Sequence, residues 1–107
     1  MIGFLLAAAL LAQPAPDRVI QVSAKKFEFS PAMIELRVGV PVILEITSVD
    51  RAHGFAAPDF KVDVRAESGN VTRVRLVPDH AGTFEFHCSV FCGSGHEEMS
   101  GTIVVRP

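Results

Sequence analysis

Between Cys88 and Met99 the chain gathers two thiols, an imidazole and a thioether, as Cys88, Cys92, His96 and Met99. The stretch holds both cysteines of the protein, one of its four histidines and one of its three methionines. On an α-helix these offsets of four, four and three residues would line one face. Gly93 and Gly95 oppose a helix, because each costs a helix interior about 1 kcal/mol relative to Ala. Val90 and Phe91 would also be stranded on the far face. The stretch is therefore expected to be a loop. Soft and borderline ligands gathered in one loop suit copper better than calcium or magnesium.

Two other readings fit part of the same set. A Cys88–Cys92 disulfide would suit an exported chain but leaves His96 and Met99 without a purpose. Zinc bound by Cys88, Cys92, His96 and His53 is an acceptable tetrahedral set, with no place for Met99. A mononuclear copper site needs one thiolate, and the second cysteine counts against it. His80, in the turn Pro78-Asp79-His80-Ala81-Gly82, reads as solvated. His87 points away from Cys88 by strand alternation and reads as a surface or supporting residue. Met33 is remote in sequence and is given a packing role.

The elements that must position the loop are strands. Alternation of apolar and polar residues marks 19–24, 27–29, 34–38, 41–47, 71–77, 83–88 and 101–106, punctuated by Pro and Gly. Residues 59–67 are either a strand through Phe60, Val62 and Val64 or a long connection. Short, near-regular strands without a convincing helix predict an all-β fold, an antiparallel sandwich or barrel. The loop then joins the last two strands, with Cys88 ending one and Met99 preceding the other, so both of its ends are held. His53, in a loop after the strand that ends near Ser48, is the expected ligand from outside the stretch. Phe55, Phe84, Phe86 and Phe91 are expected to keep the site dry.

Composition fits one ordinary domain. The chain has 107 residues, 49% hydrophobic and 21% charged, with a formal net charge of −2, which gives no basic excess for nucleic acid. Phe is the sole aromatic type, so docking through an exposed indole or phenol is not expected. Residues 1–16 begin with an apolar run shorter than the roughly 20 residues that span a bilayer. They read as a signal peptide or short apolar leader, and 17–107 as the domain. Export to the periplasm or the outer face of the cytoplasmic membrane follows, with membrane association through the leader.

His53 in a His-Gly-Phe context, the pattern Cys88-x-x-x-Cys92-x-x-x-His96-x-x-Met99 and the closing Gly-Thr-Ile-Val-Val strand together resemble the copper A domain of cytochrome oxidase subunit II. They are also similar to the copper A domain of nitrous oxide reductase. The resemblance implies a cupredoxin-like Greek-key β-sandwich holding two copper ions, a monomer that passes electrons and is not an enzyme by itself. It implies Cys88 and Cys92 as bridging ligands, and one copper each for His53 and His96. Met99 and the backbone carbonyl of Val90 are implied as weak ligands. A c-type cytochrome or an oxidase is the implied redox partner.

Departures from the family pattern qualify that placement. Position 90 is Val where oxidase subunits commonly carry a metal-holding Glu. The two membrane helices that normally precede the domain are missing from this sequence, as are the tryptophans that help to receive electrons. A free-standing exported carrier is the simplest expectation. A copper storage or delivery protein and a detached oxidase subunit are its rivals.

Overall fold

The structure is a computed structural model that describes residues 17–107, so the leader expected at 1–16 lies outside the described residues. Nine strands run in chain order as β1 (Arg18–Lys25), β2 (Glu28–Ser30), β3 (Met33–Arg37), β4 (Val42–Ser48), β5 (His53–Ala57), β6 (Val62–Ala66), β7 (Thr72–Leu76), β8 (Gly82–His87) and β9 (Ser100–Arg106). Among the described residues the only helical pieces are two 3-10 turns, Pro58–Phe60 and His96–Glu98.

The strands form two sheets, ordered β2-β1-β4-β7 and β3-β9-β8-β5-β6. Strand β4 shows why they must face each other. Val42, Leu44, Ile46 and Ser48 are buried while Ile43, Glu45 and Thr47 are half-buried, so one face of the pleat needs a partner layer. Ile34 and Leu36 of β3 and Ile103 and Val105 of β9 supply that layer from the other sheet. Phe29, Phe55 and Phe86 meet at its centre, with ring centroids 5.8, 5.1 and 4.7 Å apart for the pairs 29–55, 29–86 and 55–86.

Two details differ from the sequence expectation. The sandwich is not wholly antiparallel: β1 runs parallel to β4, and β3 parallel to β9. After β1 and β2 the chain crosses to the edge of the second sheet at β3 and returns to the first at β4, which sets β4 in the direction of β1. The uncertain region around 59–67 is also resolved. Phe60 ends a 3-10 turn, and Val62–Ala66 is a strand paired antiparallel with β5.

The register puts one end of the sandwich in charge of the site. His53 starts β5, His87 ends β8 and Ser100 starts β9, and β8 and β9 pair antiparallel with His87 opposite Ser100. Residues 88–99 therefore leave and re-enter the sheet at adjacent points.

Candidate metal centre

His53 is fully buried, and it is the first residue of β5. The sequence reading put it in a loop. All five residues of β5 are buried, so the strand shows no alternation by which to recognise it. Its outer face is covered because the chain leaving β8 crosses it: a Cβ on Gly54 would fall 2.0 Å from Ser89 Oγ and 2.8 Å from the Val90 nitrogen. Only glycine permits that crossing. Ser89 Oγ is held there by donating to Asp63 Oδ1 of β6 at 2.7 Å. The Gly54 N–H points at Cys88 Sγ, 3.5 Å away.

The far nitrogen of His53 is also fixed. Nε2 lies 2.7 Å from Asp50 Oδ1, while Asp50 accepts from the Lys26 N–H at 2.8 Å and the Arg51 N–H at 2.6 Å. Burial alone would raise the Asp50 carboxyl. The Lys26 amide, the His53 imidazole and the Arg51 amide outweigh it and hold the group well below the usual carboxylate range. An ionised Asp50 can only accept, so Nε2 carries the proton and donates. That leaves the Nδ1 lone pair, 3.9 Å from Cys88 Sγ, facing the sulfurs.

Cys88 follows the last residue of β8, and its N–H donates to the Met99 carbonyl at 2.9 Å, which closes the neck of the loop. Within it, the His96 N–H donates to the Gly93 carbonyl at 3.1 Å and the Glu98 N–H to the Gly95 carbonyl at 3.2 Å. The first closes a turn, and the second, with the Met99 N–H donating to the His96 carbonyl at 3.1 Å, forms the 3-10 turn that begins at His96, so the segment is a loop as expected. Met99 ends the turn and is buried.

The loop brings its donors to one point. Cys88 Sγ and Cys92 Sγ are 3.8 Å apart, and both thiols are free. The Val90 carbonyl oxygen lies 3.1 Å from Cys88 Sγ. Around Cys92 Sγ stand His96 Nδ1 at 3.6 Å and Met99 Sδ at 3.8 Å. The ligand atoms of His53, Cys88 and Cys92 all lie within 4.8 Å of one another. All six residues singled out in the sequence therefore converge. The Asp50 carboxylate meets His53 on the nitrogen that faces away from the sulfurs. Two thiols, two imidazole nitrogens, a thioether and a carbonyl make a soft-to-borderline donor set, which fits copper. Burial, and then the Cys88 sulfur beside it, pushes the Cys92 thiol up to about 11. A metal bound as thiolate must displace that proton, so uptake weakens as pH falls.

The apolar surround is only partly as expected. Phe55 and Phe86 are fully buried, two residues along the strand from His53 and Cys88 and on the same faces. Phe84 instead packs on Phe60 and His80, with centroids 5.1 and 5.3 Å away. Phe91 is 69% exposed and leans on the His96 ring at 5.6 Å. It sits in the loop, where strand alternation predicts nothing. Phe29, Asp50 and Phe27 are the supporting residues that sequence reasoning missed. His80 is exposed beside Asp79, and His87 is half-buried and turned from the sulfurs by its place in β8.

With this geometry in hand, the likeness to known proteins is specific. A family model described as a cupredoxin-like domain matches residues 1–105. Cytochrome c oxidase subunit 2 of Thermus thermophilus is 34% identical over 92% of this chain and 74% of its own length. Nitrous-oxide reductase of Cupriavidus necator is 29% identical over 81% of this chain, which spans only 14% of that protein. The periplasmic domain of subunit II of cytochrome oxidase from Bradyrhizobium japonicum superposes with a TM-score of 0.79, at 21% identity, over 87% of this chain and 86% of that one. The chain belongs to the cupredoxin-like family and, within it, to the relatives of cytochrome c oxidase subunit 2.

Proposed function

We propose that this protein transfers electrons through a dinuclear copper centre of the copper A type. The observation that carries this reading is the pair of sulfurs 3.8 Å apart with one imidazole Nδ1 beside each, at 3.9 and 3.6 Å. Cys88 and Cys92 would hold the copper as shared ligands, His53 and His96 as one ligand each, and Met99 and the Val90 carbonyl as weak ones. Copper held by the two thiolates would share its unpaired electron with both sulfurs, so little would move when an electron arrives. The surrounding residues keep that movement small. Asp50 fixes the His53 ring, the Cys88–Met99 backbone bond closes the loop, and Phe29, Phe55 and Phe86 exclude water from below. His96 is half-exposed, and its ring edge is the path for electrons to a partner.

The periplasm or the outer face of the cytoplasmic membrane is the setting this reading assigns, with a c-type cytochrome or an oxidase as partner. Catalysis happens on another chain. The protein acts as a free-standing carrier or as the copper subunit of a terminal oxidase; a copper storage protein is the rival from a different class. Stopped-flow mixing with a c-type cytochrome, paired with a chelator challenge, separates them. An electron carrier exchanges electrons reversibly and holds copper for hours. Copper lost to the chelator within seconds, without electron exchange, would make this a storage or delivery protein.

A further inference from the structure

The turn between β1 and β2 touches both halves of the centre, although nothing in it resembles a ligand. Its Lys26 N–H donates to Asp50, which in turn holds His53. Its Phe27 ring lies under the loop that carries Cys92 and His96. A Cβ on Gly95 would fall 2.5 Å from Phe27 Cδ2 and 2.6 Å from Cγ, and one on Gly93 would fall 3.1 Å from Cε1 and Cζ. The two glycines thus rest on different parts of one flat ring. Phe27 is not part of the hydrophobic core, and 37% of it is exposed. The ring's close contact is with the loop.

We propose that Phe27 is a positioning residue: its ring is the floor that sets the arc from Cys92 to His96 before any metal binds. The backbone bonds inside the arc explain how. The His96 and Glu98 amides donate to the carbonyls of Gly93 and Gly95, so the level at which those glycines sit fixes where the 3-10 turn starts and where the His96 ring points. Lys26 acts through Asp50 on the other imidazole, so one two-residue turn sets the two histidines relative to each other. Phe27 affects a metal only if Cys92 and His96 bind it, as proposed above. Its effect on the arc needs no metal.

Gly95 gives the cleanest test, because its φ of −97° and ψ of 7° accept an alanine. The three nearest atoms that the added methyl would meet all belong to the ring. At Gly93, with φ of 135°, any side chain would be strained whatever lay beneath. Gly95→Ala, Phe27→Ala and the double variant are compared as metal-free proteins by amide hydrogen exchange at His96 and Glu98. Each single change is expected to speed exchange there by about tenfold or more, the scale of a local overpacking or lost support. The double variant is expected to exchange more slowly than the product of the two effects, because removing the ring makes room for the methyl. Phe27→Leu, which keeps bulk but loses the flat face, gives a smaller change in the same direction should Phe27→Ala fold poorly. Effects that multiply independently, or exchange unchanged by any substitution, would overturn the role of Phe27. After copper loading, the same variants should show altered copper hyperfine splitting at unchanged stoichiometry. A wild-type protein that binds no copper, with the exchange pattern intact, would count against the copper reading and leave the floor standing.

Discussion

His53 and His96 present the same atom, Nδ1, to the sulfur pair, and the fold builds them in opposite ways. His53 begins a strand, is fully buried, and has its second nitrogen fixed by a carboxylate that two backbone amides hold in place. His96 begins a 3-10 turn in a loop, is half-exposed, and leans on a phenylalanine that is mostly in solvent. The inner imidazole is positioned by the sheet, and the outer one by a loop resting on Phe27. This division would suit the proposed electron carrier: one imidazole would anchor the metal centre, and the other would bring it to the surface where a partner can reach.

The contrast is largest at the phenylalanine near each histidine. Phe55→Ala should destabilise the metal-free protein by about 3–5 kcal/mol, as for other buried aromatics, whereas Phe91→Ala should change stability by no more than about 0.5 kcal/mol. Urea unfolding of both variants measures the difference, and equal costs would remove the distinction between the halves. The two histidines themselves are expected to differ in the same direction. His53→Ala should cost the metal-free fold about 1–3 kcal/mol and His96→Ala less than about 0.5 kcal/mol, although both impair copper binding. Calorimetry without copper isolates the first effect, and metal analysis the second.

Much of this arrangement was legible in the sequence, for definite reasons. The loop was readable because its ligand types are rare and its glycines rule out a helix. Its position followed from the alternation of the flanking strands β8 and β9. Strand β5 was not readable, because Ser89 and Val90 cover one of its faces and tertiary packing erased the period of two. Asp50 and Phe27 were missed for a related reason. Asp50 is fixed by the amide of Lys26, on a different turn, and Phe27 meets Gly93 and Gly95 only after the chain has folded. Contacts of that kind leave no local pattern. Phe91 was expected to help keep the site dry because it is apolar, but it sits in a loop with no layer packed over it and is exposed.

Smaller effects are expected at Met99 and at the acidic pair beside His96. Met99 is buried against Cys92, and Met99→Leu conserves its volume, so the fold should lose less than about 1.5 kcal/mol. Both coppers should remain while the reduction potential, read by protein-film voltammetry, shifts, because an axial ligand tunes a copper site without holding it. Complete loss of copper would make Met99 a principal ligand. Glu97 and Glu98 are exposed next to His96. Changing both to Gln should lower the second-order rate with a basic cytochrome only at low ionic strength, since at physiological salt such steering reaches about 8 Å. Rates that match wild type across a salt series would move the docking surface to the apolar side of the outer half, at Phe91.

Whether two thiolates bridge two coppers is read from a copper count taken with the electron paramagnetic resonance spectrum of the loaded protein. Two coppers per chain with a seven-line hyperfine pattern, from one electron shared equally between two metals, is the predicted result. One copper per chain with a four-line pattern would contradict it.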